Sequence, residues 1–411
     1  MSKTIAFNPL SLPTYMMAKP AGSTCNLDCA YCYYLEKEKL YQNRKKLEMT
    51  DEVLEMFTKS YIEAQPVKEV LFTWHGGETL LRDISFYKKA LQFQKKYGRG
   101  RQIDNVLQTN GTRLNDEWCR FFKDNNFLVG ISIDGPEHCH DVYRKNKGGK
   151  GTFAEVMKGV GLLQKHGVEF NTLSVINDYN VQFPLDVYRF FKEIGSRYMQ
   201  FAPIVERISD GRTDGLKLLP PDQNIDYQLA SWSVNPVKFG KFYIEIFDEW
   251  VRYDVGNFYV QLFDATLANM VGAQPGVCIF AETCGHAAAM EFNGDVYACD
   301  HYVFPEFKLG NVRNQTIFEM MFQQQQLQFG ADKKEKLPTQ CLQCDVLRFC
   351  HGECPKNRIA RTSDGEPGLN YLCEGYKAFF RHVLPYMEFM ANELHNKRPP
   401  ANVMYFARGK K

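Results

Sequence analysis

Short apolar runs rich in β-branched and aromatic residues recur through the first half of the chain, at roughly 15–21, 68–74, 104–109, 127–133, 168–176 and 198–204. Each reads as a strand. Between them lie stretches where apolar residues return every three or four positions: Thr50–Ala64, Ile84–Tyr97, Asn115–Asn125 and Thr152–His166. That period gathers the apolar side chains on one face of a helix. Thr50 is placed to cap the first helix and Gly167 to end the last. Regular strand–helix alternation predicts parallel strands joined by right-handed crossovers. Six such units make an α/β fold, a partial (β/α)6 barrel more open than the eight-fold version. In such folds the active site gathers at the C-terminal ends of the strands. Cys25, Gly76-Gly77-Glu78, Thr109-Asn110-Gly111 and Ser132-Ile133-Asp134-Gly135 all fall there.

The pattern changes afterwards. Pro236–Tyr253 reads as a long helix leading out of the barrel. From about Gly272 the chain is cysteine-rich, with turns such as Asn293-Gly294, and Glu374–Asn396 is helical again. The expected segments are a barrel at 1–235, a helical bridge at 236–271, a cysteine-rich domain at 272–375, and a C-terminal helix and tail at 376–411. The run Gln323–Gln326 reads as a solvated helix face. Gly148–Thr152 lacks the first glycine of a phosphate loop and reads as a flexible loop.

Composition narrows the function. A chain of 411 residues is long for one core. With 44% hydrophobic and 24% charged residues it is a folded protein, and its net charge of +2 favours no charged partner. No basic run with interleaved aromatics marks a nucleic-acid surface. Neither a signal peptide nor a membrane-spanning run is visible, so a cytoplasmic protein without a membrane partner is expected. The sequons at Asn110 and Asn314 then carry no meaning. In that compartment thirteen cysteines call for an explanation other than disulfides. They cluster at short, fixed spacings, as metal or cluster ligands do.

Cys25, Cys29 and Cys32 form C-x3-C-x2-C, followed at once by Tyr33-Tyr34. Three cysteines leave one iron of a four-iron cluster without a protein ligand. An amine and carboxylate such as those of S-adenosylmethionine (SAM) can chelate an iron left open in this way. A zinc knuckle completed by a distant residue is the alternative. The segment C-N-L-D-C-A-Y-C-Y-Y at 25–34 resembles the radical SAM superfamily, including the aromatic Tyr31 before the third cysteine. Gly76, Gly77 and Glu78 resemble its glycine-rich segment, whose backbone meets the SAM amino group. By the same resemblance Ser132 and Arg144 are SAM contacts, and Val205 lies on the adenine side.

Cys284 and Cys299 fit C-x9-G-x4-C, with Gly294 as the inner glycine. Cys341, Cys344, Cys350 and Cys354 fit C-x2-C-x5-C-x3-C, and Cys373 follows. These positions resemble the SPASM auxiliary-cluster domain, and Cys278 supplies an eighth thiol, enough for two complete four-iron clusters. A pair of zinc sites would accept the same ligands. Cys119 and Cys139 remain as ordinary thiols, one on a helix and one in a loop.

Length, spacing and Cys299-Asp300 together are similar to the anaerobic sulfatase-maturating enzymes. That resemblance implies a radical SAM barrel followed by a SPASM domain, with SAM and three [4Fe-4S] clusters as cofactors. It implies a first auxiliary cluster on Cys278, Cys284, Cys299 and Cys354, and a second on Cys341, Cys344, Cys350 and Cys373. The substrate would be a sulfatase polypeptide whose Cys or Ser, in a Cys/Ser-x-Pro/Ala-x-Arg segment, becomes formylglycine. Asp300 would be the catalytic base. A flavodoxin or ferredoxin would supply electrons, and the enzyme would act as a monomer. His75 and His301 receive no role. Two other readings stay open here: a SPASM maturase that crosslinks small peptides, and a non-catalytic iron–sulfur carrier or zinc scaffold.

Overall fold

A computed structural model describes residues 13–41, 46–210, 216–220 and 226–409. Most of the N-terminal stretch read for a signal peptide lies outside the described residues. Strands β1 (Tyr15–Ala18), β2 (Glu69–Trp74), β3 (Gln102–Thr109), β4 (Leu128–Ser132), β5 (Phe170–Ile176) and β6 (Tyr198–Pro203) pair in that order, all parallel. Helices alternate with them: α1 (Tyr33–Lys37), α2 (Asp51–Glu63), α3 (Ile84–Gly98), α4 (Asp116–Asp124), α5 (Glu137–Tyr143), α6 (Phe153–Lys165) and α7 (Pro184–Glu193). Thr50 caps α2 by accepting from the Val53 N–H, and Asn115 caps α4 through the Trp118 N–H.

The alternation along β2 sets the layers. Val70, Phe72 and Trp74 face outward and are buried against the helices, Phe72 on Phe57 and Trp74 on Phe86 and Tyr87. Leu71 and Thr73 point the other way and are only half-buried, because the barrel interior is open.

The sheet runs on through the rest of the chain. A short hairpin, β7 (Arg207–Ile208) with β8 (Gln228–Leu229), follows β6. Next comes α8 (Pro236–Tyr253), then β9 (Tyr259–Val260), which adds a seventh parallel strand beside β6, and α9 (Gln261–Met270). At the opposite edge β10 (Ala287–Met290) pairs in parallel with β1, and β11 (Asp295–Tyr297) and β12 (Lys308–Asn311) extend it antiparallel. The result is one ten-stranded sheet. Beyond it come α10 (Ile317–Phe322), α11 (Gln324–Glu335), α12 (Thr339–Leu342), α13 (Leu347–Cys350), a small hairpin of β13 (Ala360–Arg361) with β14 (Pro367–Leu369), α14 (Cys373–His395) and α15 (Val403–Gly409). Helix α14 returns to the barrel and packs on α8. A Cβ on Gly240 would stand 2.8 Å from the Gly375 Cα, so the two backbones touch. Phe239 and Tyr243 meet Tyr376 and Phe379 there.

Three sequence expectations need correction. Gln326 is buried, its amide donating to the Gly285 and Ala298 carbonyls; only Gln324 and Gln325 are solvated. Cys139 lies on α5, not in a loop. The Gly148–Thr152 stretch is a fastened turn: Asn146 Oδ1 accepts from the Gly148 and Lys150 N–H groups, and Asp141 Oδ1 from those of Thr152 and Phe153.

Candidate active site

Lys19 immediately follows β1 and Glu291 immediately follows β10. The register Ala18 opposite Met290 brings them side by side, and they form a buried ion pair at 2.9 Å. The hairpin after Glu291 turns at Gly294, and β11 then delivers Cys299 and Asp300 to the same end of the sheet. Lys19 Nζ lies 2.8 Å from Asp300 Oδ1. The hydroxyls of Tyr33 and Tyr34, in the first turn of α1, both donate to Asp300 Oδ2. Burial pushes the Asp300 carboxyl up, but Lys19, His75 and Tyr33 outweigh it and hold it well below the usual carboxylate range. Removing Lys19 would strand the buried Glu291 carboxylate and leave Asp300 with the two tyrosine hydroxyls alone. Lys19→Met is expected to cost about 3–5 kcal/mol, read as an earlier urea midpoint under anaerobic conditions. An unchanged midpoint would show that another group neutralises Glu291.

Cys25, Cys29 and Cys32 line a small apolar cluster of their own with Leu27, Tyr31, Tyr143, Val175, Ile204 and Trp232. Burial pushes the three thiols up, to about 11, 12 and 11, and each feels another of the set. Asn110 Nδ2 points at Cys25 Sγ, and the Tyr34 and Leu35 N–H groups at Cys32. Arg144 is buried beside Cys29, its Nε 3.1 Å from Asp134 Oδ2, which also accepts from the Tyr31 hydroxyl at 2.5 Å.

The glycine run serves a close crossing. A Cβ on Gly77 would lie 2.1 Å from the Thr24 carbonyl oxygen, just before Cys25. The Gly77 and Glu78 N–H groups donate to the Gly22 and Thr24 carbonyls. Glu78 is fully buried, and its carboxylate accepts from Leu80 N–H, Thr109 Oγ1 and Asn110 N–H, bracing β2 against β3. Ser132 Oγ, at the end of β4, accepts from Gln108 Nε2 and keeps its own proton to donate. The Val205 side chain is in the main core, and its carbonyl accepts from Lys356 Nζ, which also pairs with Glu206.

The remaining thiols fall into two sets. Cys278, Cys284 and Cys299 act electrostatically on Cys354. Cys341 senses Cys344 and Cys373, and Cys350 senses Cys341 and Cys373. The last set is assembled by α12, α13 and the start of α14. His301 Nδ1 stands 3.9 Å from Cys354 Sγ, and burial and Lys356 lower its pKa to about 4. Cys119 and Cys139 are buried away from all three sets, in the main core. Among the described residues no three His, Cys, Asp or Glu side chains converge as ligands of a single ion would. A four-iron cluster takes each thiolate on a different iron and so needs them apart. Three thiols in the first set and four in each of the others fit that chemistry.

Sequence reasoning missed Lys19 and the partnership of Tyr33 and Tyr34 with Asp300, and it placed Asp134 at the active-site end without a role. The signals were present: a lone lysine closing an apolar strand, and two tyrosines directly after Cys32.

Fold and site together define a radical SAM protein with an auxiliary-cluster domain. Residues 20–191 match the radical SAM superfamily, and 278–345 match SPASM, an iron–sulfur cluster-binding domain. SAM and [4Fe-4S] clusters are the cofactors of such a protein. The chain is 59% identical to the serine-type anaerobic sulfatase-maturating enzyme of Bacteroides thetaiotaomicron, over 98% of this chain and 97% of that one. It is 31% identical to the cysteine-type enzyme of Clostridium perfringens, over 93% of this chain and 99% of that one. The structure of native anSMEcpe with bound AdoMet and Cp18Cys peptide superposes with a TM-score of 0.79 at 31% identity, covering 92% of this chain and 99% of that chain. Streptococcus suis SuiB bound to S-adenosylmethionine shares the fold, with a TM-score of 0.57 at 14% identity over 89% of this chain and 78% of that one. The chain belongs to the anaerobic sulfatase-maturating enzyme family. Among the described residues no helix is long and apolar enough to cross a membrane.

Proposed function

We propose that this chain oxidises a serine of a sulfatase polypeptide to formylglycine. One observation carries the reading: a single carboxylate, Asp300, joins the loop of Cys32 to the loop of Cys299. The 59% identity to a serine-type enzyme supports serine as the target.

Taking serine to its aldehyde removes a hydrogen atom from Cβ, a proton from Oγ and one electron. When bound, SAM and the clusters supply a 5′-deoxyadenosyl radical for the hydrogen atom and an acceptor for the electron. Cys25, Cys29 and Cys32 would hold the SAM-cleaving cluster. Cys278, Cys284, Cys299 and Cys354 hold one auxiliary cluster; Cys341, Cys344, Cys350 and Cys373 hold the other. Ser132 and Arg144 face the SAM end, with Tyr31 and Asp134 fixing the guanidinium. Gly76 and Gly77 bring their backbone past the same loop, with Glu78 bracing it and Val205 marking the adenine side. Asp300 takes the proton. A radical on Cβ makes the attached O–H far more acidic, so a carboxylate held in its ionised form by Lys19 still serves. An electron donor of flavodoxin or ferredoxin type reduces the enzyme, which works as a monomer in the cytoplasm.

The test is direct. Anaerobically reconstituted protein is expected to hold about 12 irons per chain and negligible zinc. With reductant, SAM and a peptide carrying Ser-x-Pro/Ala-x-Arg, it should release 5′-deoxyadenosine and take two hydrogens from the serine. A product crosslinked within the peptide, with no aldehyde, would assign the chain to another maturase.

A further inference from the structure

The chemistry above leaves Lys37 without work. It ends α1 and is 3% exposed. Its Nζ is buried with no hydrogen-bond partner and lies over the ring of Phe304, in the loop after Asp300. An amine held out of water without an acceptor is unfavourable, and burial lowers the Lys37 pKa to about 7. Each such group in a native fold calls for a specific explanation.

The charged groups acting on Lys37 are Lys19, Glu206, Glu36 and Asp300. All three carboxylates have partners. Glu206 is paired with Lys356, Glu36 accepts from the Lys217 and Leu218 N–H groups, and Asp300 holds Lys19 and the two tyrosines. Among the described residues Lys37 Nζ has no acceptor, which leaves that place open to an acceptor a bound partner brings. The charged groups around the first thiol set are different ones, among them Glu78, Asp134 and Arg144. Lys37 Nζ lies over Phe304, just past Asp300, and feels the Asp300 carboxylate, so it stands on the Asp300 side of the site. A polypeptide whose serine faces Asp300 brings neutral backbone carbonyls to that side, and each of these can accept from an amine.

We propose that Lys37 binds the substrate polypeptide, its Nζ donating to a backbone carbonyl of the segment whose serine faces Asp300. This rests on the function proposed above. Lys37 spends some stability of the free enzyme on a donor that is satisfied only when the polypeptide arrives. Such a donor adds affinity and fixes the register of the serine.

The test uses the enzyme with all clusters loaded, and a motif peptide whose serine is replaced by alanine, so that binding is read without turnover. Titration calorimetry on Lys37→Met, which keeps the apolar stem, should show the peptide Kd raised about ten-fold or more, with SAM affinity unchanged. With the serine peptide, KM should rise more than kcat falls. Lys37→Arg should recover part of the affinity. The Met variant should melt no earlier than wild type, since it removes a buried, unpaired amine. If it does not accumulate, Lys37→Gln decides by the same titration and should bind with intermediate affinity. An unchanged peptide Kd in the Met or Gln variant overturns the proposal. So does an equal loss of SAM affinity, which would place Lys37 in the SAM site. A wild-type enzyme that binds no motif peptide would instead bring down the function on which the proposal rests.

Discussion

Asp300→Asn is expected to keep cleaving SAM when peptide is bound and to lower aldehyde formation by about two orders of magnitude or more. The substitution keeps the shape of the side chain but turns its amide NH2 toward the Lys19 ammonium, which lies 2.8 Å from Asp300 Oδ1. Iron content and peptide binding are therefore measured beside the rate. Lys19 keeps Glu291 as its partner at 2.9 Å, so it is not left buried and alone. The hydroxyls of Tyr33 and Tyr34 can still donate to the amide oxygen. What disappears is the basic carboxylate. Hydrogen abstraction precedes proton loss, so deuterium on the serine Cβ should still move into 5′-deoxyadenosine. Cleavage then runs ahead of product. Aldehyde formation at a near wild-type rate would assign the base to another group. Loss of SAM cleavage with normal iron content would mean that Asp300 acts earlier, in placing the peptide.

Cys29→Ala should abolish SAM cleavage altogether. Cys29 is buried within the apolar cluster that contains Cys25 and Cys32, and no fourth cysteine replaces it there. The variant should lose about four of its 12 irons. Cys284→Ala is the contrast: it removes a proposed ligand of an auxiliary cluster, and some SAM cleavage should persist while aldehyde formation fails. Normal 5′-deoxyadenosine release by Cys29→Ala would place SAM elsewhere. These two variants separate the radical-generating half of the site from the half that disposes of the proton and the electron.

What the sequence revealed follows from the range of the interactions. Strands β1 to β6 were legible because each is a short apolar run with its own helix beside it. The first three cysteines were legible because their ligation is local, within eight residues of chain. The pairing of β10 with β1 was not legible. Ala287 and Tyr15 are adjacent only once the barrel exists, and four residues of mostly alanine carry little strand signal. The ion pair of Lys19 with Glu291 depends on that register and was hidden with it. Gln326 shows the limit of composition: its polar neighbours are wet, but its own amide closes two backbone carbonyls inside the core. Lys37 reads in sequence as one more charge on a short helix, and only its burial sets it apart.

The pairing of β10 with β1 also bears on how the chain is made. Strand β1 leaves the ribosome well before β10, and β2 reaches it early. Its other edge waits until residues 287–290 have been synthesised. Through most of translation the nascent chain therefore carries an open parallel edge beside the loop that holds Cys25, Cys29 and Cys32, and Lys19 still lacks Glu291. Closing that edge and neutralising that charge are one late event. Iron loading of the first thiol set in a half-made chain would take place in a pocket whose wall has not yet arrived.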